Sequence, residues 1–177
     1  DDTVRELRNE AIACMALADL RIETEWPDAA PTGSAFRRGA FDRDVERYAR
    51  LDAGGEVVVF RVRDNVELFR LPGAWHVDKD APLPYCQFSS DGRFLAARGL
   101  VDESSLRVRV WNLAERTLLI DSASELRGFG FGLAFSPDGS RVAFPESSTH
   151  LAIHETQSAA VVTRIKLDQG AAHSLVF

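Results

Sequence analysis

The eleven residues AFSPDGSRVAF, Ala134 to Phe144, read as two short apolar segments separated by a reversal. Ser136, Pro137, Asp138 and Gly139 stand in the order of a type I turn, with proline setting φ at about −65° in the second position and glycine in the fourth. The chain on either side is then extended. Upstream the phrase occurs twice more, as QFSSDGRFLAA from Gln87 to Ala97 and AFDRDVERYAR from Ala40 to Arg50. Phe41, Phe88 and Phe135 are spaced by 47 residues, as are Asp44, Asp91 and Asp138, and Ala49, Ala96 and Ala143. Self-similarity at a period of about 20 to 50 residues marks an array of structural units.

A second shared phrase follows each first one: VFRVRDNVELFRL (Val59 to Leu71), VWNLAERTLLIDS (Val110 to Ser122) and IHETQSAAVVTRI (Ile153 to Ile165). In the middle copy Leu106, Val108 and Val110 alternate with Arg107, Arg109 and Trp111, the period of a half-buried strand. Asn112 to Arg116 then turns the chain into Thr117 to Ile120. With an approach strand ending at Phe88 and a strand from Phe94 to Ala97, each unit holds four short antiparallel strands. Four strands in roughly 47 residues is the blade period of a β-propeller. The expected fold class is therefore all-β, a partial β-propeller of four-stranded antiparallel blades.

The segments FSPDGSRVAF and VRVWNL resemble the turn-and-strand and closing-tryptophan segments of the WD-repeat β-propellers, with Trp111 and Asn112 in the place of that family's Trp-Asp pair. The resemblance covers roughly residues 35–177. It departs at Phe60 and His154, which stand where the other copies would carry the tryptophan, at Val45, which stands where Gly92 and Gly139 do, and in the lack of a Gly-His pair before each copy. The propeller of the Tol system has a similar SPDG phrase. Asp-box propellers, as in sialidases, place glycine two residues after the aspartate, whereas Gly92 and Gly139 follow at once. The phrase LRNEAIACMALADLRIETEW resembles the joint leading into the C-terminal repeat region of large planctomycete-like bacterial serine/threonine protein kinases. That resemblance implies a kinase domain elsewhere in a parent protein. These residues hold no Gly-rich loop with a Val-Ala-Ile-Lys strand, no His-Arg-Asp and no Asp-Phe-Gly.

Full blades are expected over about residues 34–71, 83–122 and 130–165, all within an incomplete propeller spanning 11–177. A partial blade over 11–26 precedes them, and residues 173–177 restart an approach strand in which Phe177 takes the position of Phe135. Residues 1–10 read as a short helix and linker: Thr3 with Glu6 forms a capping-box pattern, and Val4, Leu7 and Ala11 recur at helical spacing. Closed propellers have about 4 to 8 blades. The expectation is thus an array cut from a longer chain, with an open apolar blade face at each end. A homodimer that closes or stacks two such arrays is one expected outcome; the other is that the remaining blades belong to the same polypeptide.

Composition excludes several classes. A net charge of −6, with arginines scattered singly or in pairs, lacks the clustered basic face of a nucleic-acid binder. No apolar run approaches the roughly 20 residues of a membrane span. Cys14 and Cys86 are too sparse for a disulfide scaffold and read as buried thiols. His150 and His154 form an HxxxH pair, but four strand residues cover about 13 Å, so the rings cannot share one ion and read as solvated strand residues. Gly128, Gly130 and Gly132 lead into a strand, whereas a phosphate loop leads into a helix. Asp42, Asp44, Asp91 and Asp138 recur at turns, where aspartate bonds to nearby backbone. No Gly-x-Ser-x-Gly elbow occurs. No catalytic, cofactor-binding or metal-ligating residue is assigned, and no cofactor is expected.

The longest inter-blade loop, Pro72 to Pro84, carries Trp75, His76, Asp78 and Lys79. Trp75 either anchors a protein or peptide partner, as loop tryptophans often do, or folds back over the seam between two blades. The structural repeat itself rests on Phe41, Phe88, Phe135, Asp91, Gly92, Asp138, Gly139 and Trp111. Two functions follow: a non-catalytic protein-interaction or ligand-recognition module of a larger signalling protein, or a piece of an enzymatic or small-molecule-binding propeller whose site other blades complete.

Overall fold

Turn chemistry divides the chain into short extended segments, and twelve of them form strands among the described residues. The computed structural model describes residues 3–6, 8, 39–52, 54–73, 75–76, 85–102, 106–124, 132–147, 149–167 and 175–177. The first sheet holds β1 (Ala40–Phe41), β2 (Arg47–Leu51), β3 (Val57–Arg61) and β4 (Val66–Leu71). The second holds β5 (Tyr85–Phe88), β6 (Phe94–Leu100), β7 (Leu106–Asn112) and β8 (Thr117–Ser124). The third holds β9 (Ala134–Phe135), β10 (Arg141–Pro145), β11 (His150–Glu155) and β12 (Val161–Lys166). Each is an antiparallel meander in chain order. The described residues are all-β apart from helical residues 3–6 and 8. The partial blade expected over 11–26 lies outside the described residues, and residues 175–177 form no strand.

The three sheets repeat one another in register. Ala40 faces Ala49, Gln87 faces Ala96 and Ala134 faces Ala143 across the first pair of strands. A bulge falls at the same place in every sheet, between Val59 and Phe60, Val110 and Trp111, and Ile153 and His154. It leaves Leu68, Leu119 and Val162 as the extra residue of the outer strand, increasing the local twist. Phe60, Trp111 and His154 thereby occupy one structural position, and all three are buried. His154 is 6% exposed, which corrects the reading of it as a solvated strand residue: the slot that holds Trp111 in the second sheet holds an imidazole in the third.

Neighbouring sheets pack face to face. In the first seam Leu51, Val57, Val59 and Leu71 meet Phe88, Leu95, Trp111 and Leu113. In the second, Phe94, Val108, Val110 and Ile120 meet Phe135, Val142 and Phe144. Fully burying a side chain of this size contributes about 1.5–3 kcal/mol, so each seam supplies much of the folding free energy. The second sheet is covered on both faces, which is why Trp111 is fully buried rather than half-buried as period-two alternation implies. Phe41 keeps the register of Phe88 and Phe135 but not their burial. It lies on the face of the first sheet turned away from the first seam, 54% exposed against 6% and 7%.

Candidate functional site

The first turn of each sheet is built by one hydrogen-bond scheme. Ser89 and Ser136 accept the amides of Phe94 and Arg141 on Oγ, both at 2.9 Å, and donate to Asp91 and Asp138 at 2.6 Å. The Gly92 and Gly139 amides close the turns on Ser89 and Ser136 carbonyls at 2.9 and 2.8 Å. In the first sheet Asp42 stands in the serine position: its Oδ1 accepts the amides of Glu46 at 2.9 Å and Arg47 at 3.0 Å. Its second oxygen takes the Arg47 guanidinium at 2.8 Å, and Arg47 Nη2 reaches on to the Gly92 carbonyl at 2.8 Å in the next sheet. A Cβ on Gly139 would come within 2.8 Å of the Asp91 carboxylate. The turns of consecutive sheets therefore touch in a row.

These bonds fix the carboxylates' charge state. The Ser136 hydroxyl, then the Ser140 amide and hydroxyl, bring the Asp138 carboxyl down to about 2. Burial raises that of Asp91, but the Ser89 hydroxyl and the Arg93 amide and guanidinium outweigh it and bring it below the usual carboxylate value. Asp121 bridges Arg107 at 2.7 Å and Arg109 at 3.4 Å on the strand beside it. Asp42, Asp91 and Asp138 thus serve as turn residues.

Beside the turn row, β1 lies against β5 and the two first strands bound an open groove of about 360 Å³. Phe41 and Arg43 form one wall, Tyr85, Gln87 and Phe88 the other, and Ser89 and Ser90 one end. Cys86 also borders it, but burial pushes its thiol up to about 12, so it stays protonated and unreactive at neutral pH. Phe41 borders the groove, its half-exposed ring 5.8 Å from that of Tyr48. Of this set Phe41 and Phe88, as repeat residues, and Cys86, as a buried thiol, are the ones the sequence singles out. The usable signal was that first strands of adjacent units must face one another.

Trp75 does not project. It is 4% exposed and packs in the first seam, its amide donating to the Gly55 carbonyl at 3.0 Å and its ring lying under the Arg109 guanidinium at 5.0 Å. Gly55, at φ +78°, and Gly73 leave no room for a Cβ beside this tryptophan. A residue so buried offers a partner almost no surface, and of the two readings the seam cover fits its place. The neighbouring His76 amide donates to the Leu100 carbonyl at 2.7 Å, holding the segment to the second sheet. Asp78 and Lys79 lie outside the described residues.

The two histidines are held apart. His150 Nδ1 bonds the Thr149 hydroxyl at 2.9 Å, while His154 Nδ1 meets the Ala159 carbonyl at 3.1 Å. Among the described residues no group of three or more His, Cys, Asp or Glu is placed to hold a metal, and no helix is long and apolar enough to cross a membrane.

No family model matches the chain, and no curated protein matches it. Among solved structures, hydrazine synthase from Kuenenia stuttgartiensis, a β-propeller-containing protein, is similar with a TM-score of 0.58 at 14% identity. The match covers 85% of this chain and 41% of that one. At this identity the likeness concerns the fold alone: sheets stacked like the blades of a β-propeller.

Proposed function

We propose that this chain is a non-catalytic recognition module, a WD-repeat-like array within a larger bacterial signalling protein, that takes an extended protein or peptide segment in the groove between β1 and β5. One observation carries the reading. The repeated carboxylates are committed to their own turns, while the groove beside them is bordered by the exposed Phe41, Arg43 and Ser90. Such a lining suits contact and hydrogen bonding rather than bond cleavage.

The test is enrichment of a displayed library of linear peptides on the chain, followed by hydrogen exchange of the complex. Protection is expected over 39–43 and 85–90, and Phe41→Ala should weaken capture about tenfold, the effect of an interface anchor. Enrichment of no peptide, or protection confined to other segments, overturns the reading. The second reading, a propeller piece whose small-molecule or catalytic site other blades complete, has the same groove behind it. It gains if small polar ligands, and no peptides, protect these strands.

A further inference from the structure

Several apolar residues of the first seam have polar counterparts in the second, Leu71 with its match Ser122 among them. Ala40, Leu51, Trp111 and Leu113 all join the first seam. Their counterparts one unit later are Gln87, Arg98, His154 and Thr156. The match is fixed by geometry. Gln87 and Arg98 face Ala96 and Val108, and His154 faces Val142, all three partners being members of the second seam. The Thr156 amide donates to the Ser140 carbonyl at 2.9 Å, as the Leu113 amide does to the Arg93 carbonyl at 2.9 Å.

Three of these substitutions put polar side-chain atoms where the first seam has none, and His154 exchanges the single ring nitrogen of Trp111 for two. Arg98 is 1% exposed and Thr156 is fully buried. Among the described residues Gln87 Oε1, His154 Nε2 and Thr156 Oγ1 are buried without a hydrogen-bond partner, against the two indole nitrogens of Trp75 and Trp111 in the first seam. Buried polar atoms left unpaired disfavour the closed state and gain partners when water enters. Burial also pushes the Arg98 guanidinium down to about 10.

We propose that the second seam is a parting line: the third sheet swings away from the second as one unit, admitting water, while the first and second sheets stay joined. The device is local in the sense that proteins open in cooperative pieces whose stability follows their apolar contacts. The first and third sheets each pack against the second, so the comparison between them separates seam chemistry from position in the array.

Native-state hydrogen exchange on the full chain at increasing sub-denaturing urea tests this. Amides of β10 and β11 should exchange together, at least about tenfold faster than those of β2 and β3. Joint replacement His154→Trp and Thr156→Leu, which restores the first seam's residues, should slow β10 and β11 to the rate of the first sheet. Leu113→Thr supplies the reverse test and should speed exchange in β2 and β3; Gln87→Ala, introducing the residue both other units carry, should slow β10 and β11 on its own. Equal exchange of the first and third sheets in the unaltered chain overturns the proposal, as does a faster third sheet that neither restoring variant slows.

Discussion

The imidazole of His154 lies flat on the Phe144 ring, with centroids 4.7 Å apart and planes 12° from parallel. In the first sheet Phe60 stacks on Tyr48, its direct cross-strand partner, at 5.1 Å and 14°, and Arg50, the counterpart of Phe144, lies over the Phe60 ring at 4.6 Å. The slot holds a flat ring in all three sheets, and among the described residues the ring nitrogens Trp111 Nε1 and His154 Nε2 are both buried in it without a partner. His154→Phe should raise stability by about 1 kcal/mol, since it removes a buried unsatisfied group at small change in volume. His154→Ala should cost about 2–4 kcal/mol through the cavity it leaves. Urea unfolding followed by circular dichroism distinguishes them; a destabilising phenylalanine contradicts the assignment of this position.

Val45 holds φ at +56°, where Gly92 and Gly139 have +67° and +70°. A β-branched residue pays about 1–2 kcal/mol for this left-handed conformation, partly offset in glycine by its greater unfolded freedom. Val45→Gly should therefore stabilise the chain by about 0.5–1 kcal/mol, and Gly139→Val should destabilise it by more, because its Cβ also meets Asp91. Thermal unfolding of the two variants decides the sign in each case.

Trp75 supplies a third prediction. Its replacement by alanine opens the first seam, and about 3–5 kcal/mol of stability should be lost. Were Trp75 a partner anchor instead, the unfolding transition of Trp75→Ala would stay in place and only binding would fall.

The Asp138 carboxyl, held down to about 2, has a folded value below its unfolded one. Its contribution to stability is therefore complete above the ordinary carboxylate range and fades as pH falls from about 4 towards 2. Carbon-detected NMR titration should place Asp138 near this low value, and Ser136→Ala should move it upward. An Asp138 titrating at the ordinary value in the unaltered chain contradicts the turn scheme.

The repeat was legible because its signals are local. A Ser-Pro-Asp-Gly turn carries its own backbone preference, and three copies at a constant spacing fix the strand order without any long-range contact. Even the Val45 departure shows in the alignment. Asp42 was legible as a turn residue, yet its substitution for Ser89 emerges only when the 47-residue offset is applied one position at a time. Burial was harder to read. Trp75 and His154 look like surface candidates because loop position and polarity suggest solvent, whereas their fate depends on which sheet stacks above them. The groove depends on two strands 45 residues apart, β1 and β5, meeting edge to edge, and no periodicity within either strand encodes that.

Successive sheets stack through the matched rings of Phe88 and Phe135. Nuclear Overhauser contacts from the Phe88 and Phe135 rings measure this stacking most directly. Phe88 should show contacts to the methyl groups of Leu51, Val57 or Val59, and Phe135 to those of Val108, Val110 or Ala96. Contacts of either ring only within its own sheet would contradict the account.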